Sequence, residues 1–180
     1  MPAKVPRAAR PKRSPAPGLP PLEALDQTHR EMMQVLGQLR ELVVRLDDVG
    51  IDPAARAEAK RICAFFSGTA RQHHADEETL VFPALVRTGD AALVQHVLRL
   101  QQDHGWLEED WLELAPQLQA VAEGYSWYEL DTLRAGVEVF VALYNDHIAL
   151  EESLIYPEAK RQLDAEAASR DQRLAGSGSD

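Results

Sequence analysis

Thiols are almost missing from this sequence: Cys63 is the one cysteine in 180 residues. That excludes an internal disulfide and every cysteine-rich metal site. Cys63 lies in a strongly helical run beside Phe65 and Phe66 and reads as a small buried apolar residue. No stretch approaches the ~20 consecutive apolar residues of a membrane span. The N-terminus shows no apolar h-region of a secretory signal, so the chain is read as cytoplasmic. Positive charge is in deficit, with 19 Lys and Arg against 29 Asp and Glu and a net charge of -10. That argues against a nucleic-acid surface across the domain. Nothing alternates with the period of a strand. Proline is scarce after the first 21 residues, which hold seven of the eleven prolines, five basic residues and no acid. Such a segment cannot bury enough apolar surface to order itself, so residues 1–21 are expected to form a disordered basic tail. Residues 164–180, ending in Gly-Ser-Gly-Ser-Asp, are expected to be a flexible tail.

Between the tails, apolar residues recur with the period of a helix in four segments. The first carries Leu22, Leu25, His29, Met32, Leu36, Leu39, Val43 and Leu46, in alternating steps of three and four. That is the pattern of a helix packed nearly parallel to its neighbours. The second, opened by an Asp52 cap and Pro53, carries Ile62, Phe66, Thr69, His73, Glu77, Leu80 and Ala84. Pro83 is expected to kink it or end its regular part. The third starts after Asp90, carries Leu93, Val97, Leu100, His104, Leu107, Trp111, Leu114 and Leu118, and is expected to kink at Pro116. The fourth carries Leu133, Val137, Phe140, Tyr144, His147, Glu151 and Leu154. Four long helices on short turns predict an all-α, up-down-up-down four-helix bundle over residues 22–163.

Each stripe contains one histidine, and two contain a glutamate four residues later. The run His73-His74-Ala75-Asp76-Glu77-Glu78-Thr79-Leu80-Val81-Phe82-Pro83 returns without a gap as His147-Ile148-Ala149-Leu150-Glu151-Glu152-Ser153-Leu154-Ile155-Tyr156-Pro157. A His and a Glu four apart share a helix face, so one helix can supply two metal ligands. Carboxylates in a bundle core are costly unless paired or bound to metal. Counted in helical rise from the same end of the bundle, the six groups reach similar depth. His29, His73, Glu77, His104, His147 and Glu151 are therefore the candidate metal ligands, two His per ion with both Glu as bridges. Imidazole plus carboxylate without thiolate suits iron, manganese or zinc. About four protein ligands per ion leave room for solvent and an exogenous molecule. His74 is a candidate to support a ligand, His96 a surface residue. Glu78, Glu152 and Asp76 read as solvated or supporting acids. Trp106 and Tyr144 are candidates to shape a pocket or carry electrons.

These residues resemble the hemerythrin-like, or HHE cation-binding, domain. The likeness rests on His29, the His73-His74-x-x-Glu77-Glu78 run ending in Phe82-Pro83, His104, and His147-x-x-x-Glu151 ending in Tyr156-Pro157. It implies a non-haem centre of two iron ions, oxo- or hydroxo-bridged, with manganese or zinc as lesser alternatives. The four histidines are then terminal ligands and the two glutamates bridges. Oxygen-carrying hemerythrins have a fifth histidine one turn from the first on the third helix, where this sequence has Leu100 and Glu108. Glu108 is a possible seventh ligand. Four His and two Glu are closest to the hemerythrin-like domain of bacterial iron-centre repair proteins, which carry an N-terminal Cys-containing domain not seen here. The expected function is binding or sensing of dioxygen, nitric oxide or reactive oxygen species. A peroxide- or nitric-oxide-consuming enzyme, an iron storage, delivery or repair protein, and a bundle with structural zinc or no metal are the alternatives.

Overall fold

The structure is a computed structural model that describes residues 22–176. The tail expected over residues 1–21 lies outside the described residues. Four helical rods pack as a bundle, with no strand among the described residues. The first rod is Leu22–Asp48. The second spans residues 53–86, the third is Ala91–Glu123, and the fourth spans residues 130–176. The first and third rods each pack against the second and the fourth, which gives the expected up-and-down square.

Local chemistry sets the rod ends. Asp52, extended at φ -124°, accepts a hydrogen bond from the Ala55 N–H at 2.7 Å, with Pro53 as the first helical residue. Asp90 does the same for the third rod through the Leu93 N–H at 2.9 Å. That rod closes on Gly124 at φ 87°, a left-handed position that favours glycine. Helix continues through Pro116, and Leu114 and Leu118 on either side stay buried. No helix among the described residues is long and apolar enough to cross a membrane.

The second and fourth rods are not uniform. Three π turns interrupt them, Phe65–Ala70, Glu77–Val81 and Glu151–Ile155. The last two occupy matching places in the sequence repeat, and each starts at the repeat's glutamate. In both, the aromatic residue that follows sends its N–H five residues back: Phe82 to the Glu77 carbonyl, Tyr156 to the Glu151 carbonyl. The prolines explain this. Pro83 and Pro157 lack the N–H that would hold the preceding turn in α geometry, and a π turn accommodates the missing bond without breaking the rod. The kink or end expected at Pro83 is thus a change of turn, after which helix runs on through Phe82–Val86.

Each π turn shifts the helix phase by one residue. The second rod therefore buries Ala70, Val81, Phe82 and Leu85, not the expected Thr69, Leu80 and Ala84. In the fourth rod Ile155 and Tyr156 are buried where Leu154 was expected, and Leu154 is 37% exposed. The fourth rod also stays helical as Tyr156–Gly176, through most of the tail expected at 164–180. Its residues 165–174 are exposed. Ala, Glu, Arg and Gln there favour helix by their own propensity.

Two apolar clusters fill the bundle. The larger includes Met32, Leu36, Ile62, Phe66, Leu107, Trp111, Phe140 and Tyr144. The smaller joins Leu25, Val81, Phe82, Leu85, Val97, Leu100, Ile155 and Tyr156. Phe66 is the hub of the larger one, with Trp111 and Phe140 each 5.1 Å away between ring centroids. Truncating the fully buried Phe140 to Ala is expected to lower the unfolding free energy by about 3–5 kcal/mol, read from urea denaturation. Between the two clusters lies a layer of buried polar side chains.

Candidate metal centre

That layer consists of His29, His73, Glu77, Asp103, His104, His147 and Glu151, all at most 6% exposed. All six sequence-predicted ligands are in it. The four histidines come one from each rod, and the two glutamates from the starts of matching π turns.

The Nε2 atoms of the histidines face the carboxylates. His29 Nε2 is 3.0 Å from His73 Nε2 and 3.2 Å from Glu151 Oε2, and His73 Nε2 is 3.3 Å from Glu77 Oε1. On the other side, His104 Nε2 is 3.4 Å from Glu77 Oε2, and His147 Nε2 is 3.2 Å from Glu151 Oε1. Each glutamate thus turns one oxygen toward the His29/His73 pair and the other toward the His104/His147 pair. Two groups follow that could each hold a cation: His29, His73, Glu77 and Glu151; and Glu77, His104, His147 and Glu151.

Five of these inward atoms, Glu77 Oε2, His104 Nε2, His147 Nε2 and both oxygens of Glu151, are buried without a hydrogen-bond partner. Buried polar atoms are rarely left so. Here they converge, which is the arrangement expected of a shell for positive charge. The electrostatics agree. Two carboxylates this deep cannot both ionise without a cation. Burial raises Glu77, but the neighbouring His104, His73 and Tyr156 outweigh it and hold the group well below its ordinary value. Burial, and then the charge of Glu77, pushes Glu151 up to about 8.

Behind the histidines stand further carboxylates. His29 Nδ1 is 3.2 Å from Glu152 Oε1, and His104 Nδ1 is 2.8 Å from Glu78 Oε1. The Glu-Glu pair of each repeat therefore divides its work. The first glutamate points inward, and the second orients the histidine of the neighbouring rod. Asp103 Oδ2 lies 3.8 Å from His147 Nδ1. The corresponding residue on the first rod is Thr28, whose hydroxyl instead donates to the Ala24 carbonyl, and neither His73 Nδ1 nor His147 Nδ1 has a hydrogen-bond partner. Asp103→Asn is expected to weaken cation binding on the order of 10–100-fold at the His104/His147 position, with little change on Thr28→Val. Competition with a chelator of known affinity measures both.

Two buried groups escaped the sequence reading. Asp103 continues the third rod's stripe in steps of three and four between Leu100 and Leu107, a signal that was present. Tyr156 carries its hydroxyl into the cluster, 3.1 Å from His29 Nε2, and donates a hydrogen bond to Glu77 Oε1. Burial and the charges of Glu77 and Glu151 keep it a neutral phenol. Nothing in the sequence announced it beyond an aromatic residue before proline.

The remaining candidates separate clearly. Glu108 is not brought into either group. It turns to the surface and pairs with the exposed Arg71 at 2.9 Å, which supplies its countercharge there. His74 stacks on His104 with ring centroids 4.2 Å apart. Burial, then the nearby His104 and His147, hold it uncharged, well below its ordinary value. Trp106 is 48% exposed and faces away from the layer. Tyr144 is buried in the larger apolar cluster.

The profile of the family described as "Hemerythrin HHE cation binding domain" matches residues 21–159. An uncharacterised protein of Haemophilus influenzae is 32% identical over 134 residues, which make up 74% of this chain and 76% of that protein. Uncharacterised proteins of Mycobacterium tuberculosis and Mycobacterium bovis are 28% identical over 137 residues, 75% of this chain and 51% of theirs. The chain thus spans about half the length of the mycobacterial proteins. No solved structure matches it.

Proposed function

The chain belongs to the hemerythrin HHE cation-binding family, and from that premise we propose that its polar layer holds two iron ions that take up dioxygen, nitric oxide or peroxide. His29 and His73 hold one ion, His104 and His147 the other, and Glu77 and Glu151 bridge them. The observation that carries this reading is the split of each carboxylate between the two histidine pairs, with five converging atoms left without partners. Donors of imidazole and carboxylate without thiolate suit iron. The ions would supply redox-active centres with positions open to an exogenous molecule.

Size favours a diatomic molecule or peroxide over a larger substrate. The ligands are nearly inaccessible, between two apolar clusters. A surface groove of about 390 Å³ between the first and second rods has His73 in its lining beside Thr28, Thr69 and Asp76 and is the proposed approach. Burial of this depth also disfavours rapid surrender of iron to an acceptor.

Anaerobic loading with ferrous iron is expected to give two iron atoms per chain by elemental analysis. Exposure to dioxygen or nitric oxide should then produce new charge-transfer absorption. Two bound irons with an unchanged spectrum would refute gas binding, and a chain that takes up only zinc, or nothing, would refute the iron centre. Steady-state loss of peroxide, as opposed to one stoichiometric reaction, would make the protein an enzyme.

A further inference from the structure

We propose that Tyr156 is itself a ligand of the His29/His73 cation, bound through its phenolate oxygen. The inference rests on the two-ion reading above and makes the two ions chemically unlike.

The placement of the hydroxyl carries it. Ligands at adjacent corners of an octahedron with ~2.1 Å bonds stand about 3 Å apart. The donor atoms at this end are spaced in that way: 3.0 Å from His29 Nε2 to His73 Nε2, 3.2 Å from His29 Nε2 to Glu151 Oε2, and 3.3 Å from His73 Nε2 to Glu77 Oε1. The Tyr156 oxygen joins the same figure, 3.1 Å from His29 Nε2 and in contact with Glu77 Oε1, the carboxylate oxygen that serves this ion. The residue is 5% exposed, so no bulk water competes for the position. Its ring lies flat on His29, with centroids 5.1 Å apart and planes 8° apart. A phenolate oxygen binds metal off the ring axis, so parallel rings are no obstacle.

The repeat supplies an internal control. Phe82 is the counterpart of Tyr156 and stacks in the same manner on His104, at 5.7 Å and 18°. It has no oxygen to offer. One atom therefore breaks the symmetry: the His29/His73 ion has five protein donors, and the His104/His147 ion has four and keeps the more open face. On binding, the phenol O–H bond breaks, an oxygen–metal bond forms, and the proton leaves to solvent. No electron moves. A neighbouring ferric ion reverses the preference for the neutral phenol, as bound cations do for other coordinating acids.

The test uses the full chain loaded with ferric iron. A phenolate-to-iron charge-transfer band is expected in the visible. Resonance Raman excitation within it should enhance tyrosine ring modes, which shift when the protein is grown on ring-deuterated tyrosine. Tyr156→Phe should lose the band, and Tyr144→Phe, which removes the other deeply buried phenol, should keep it. If Tyr156→Phe fails to fold, the labelled wild-type spectrum decides alone. Two irons per chain without tyrosine modes, or a band that survives Tyr156→Phe, overturns the ligand and leaves the two-ion reading standing. A chain without bound iron overturns both.

Discussion

Replacing Glu151 by Ala is expected to empty both cation positions at once, whereas replacing His147 by Ala should empty one. The difference follows from which atoms face which histidine pair. Glu151 Oε2 is 3.2 Å from His29 Nε2, and Oε1 is 3.2 Å from His147 Nε2. Losing that carboxylate removes one donor from each ion and the one negative charge that they share. Loss of the His147 ring strips one donor from the second ion only. Glu77→Ala should behave like Glu151→Ala, because its oxygens divide between His73 and His104. Metal per chain by elemental analysis is the readout: near zero for either glutamate variant and about half the wild-type value for the histidine variant. Circular dichroism checks that helix content is retained. A Glu151→Ala protein that keeps half of its metal would mean that the glutamates do not bridge.

Removing the cations should cost about as much stability as a large core truncation, and the cost should grow with pH. A ligand present at about a thousand times its dissociation constant stabilises the folded chain by about 4 kcal/mol. In a chain of this size each kcal/mol moves the melting temperature by about 2–4 °C. Stripping is thus expected to lower it by roughly 8–16 °C near neutral pH. The pH dependence comes from Glu151, whose carboxyl is pushed up to about 8 in the metal-free fold by burial and by Glu77. A carboxyl raised above its unfolded value holds its proton in the folded state. Its contribution is fully present below the unfolded value and is lost as the pH rises through about 8. The metal-free protein should therefore lose stability between about pH 5 and about pH 8. A cation displaces that proton more easily as the pH rises, so the gap between loaded and stripped protein should widen over the same range. Paired thermal melts at several pH values measure it. A gap that narrows with rising pH would contradict the assignment of the proton to Glu151.

The parts of this protein legible in the sequence were those that obey the ordinary helical period. His29, with Leu25 and Met32 on either side, and His104, with Leu100 and Leu107, fall on regular α-helix, and their stripes match the buried faces. His73 and His147 were found by the repeat, and Glu77 and Glu151 by their spacing from them. What failed came at the π turns, first at Thr69 in place of Ala70 and then after the two glutamates. A period of 3.6 residues carried through a π turn lands one position early. That is why Leu80 and Leu154 were read as core in place of Val81 with Phe82 and Ile155 with Tyr156. The clue was the matched Phe82-Pro83 and Tyr156-Pro157. A proline in the middle of a helical stripe removes a backbone donor, and the helix can answer by widening a turn. Tyr156 went unread for the same reason, because the uncorrected phase turned it away from the site. Asp103 is a different case. An aspartate on an apolar stripe reads as an error in the pattern until a neighbouring rod brings His147 against it.

The two widened turns also constrain how this chain can vary in length. Each holds one residue more than the α turn it replaces, so everything downstream is rotated by about 100° from where an uninterrupted helix would carry it. In-frame excision of Thr79 would let the turn close to α geometry and leave Phe82 and Leu85 on the buried face. Excision of Ser153 would do the same for Tyr156 and Ala159. The extra residue is thus absorbed where it stands, whereas a deletion on the regular helix beyond either turn would rotate the smaller apolar cluster out of register.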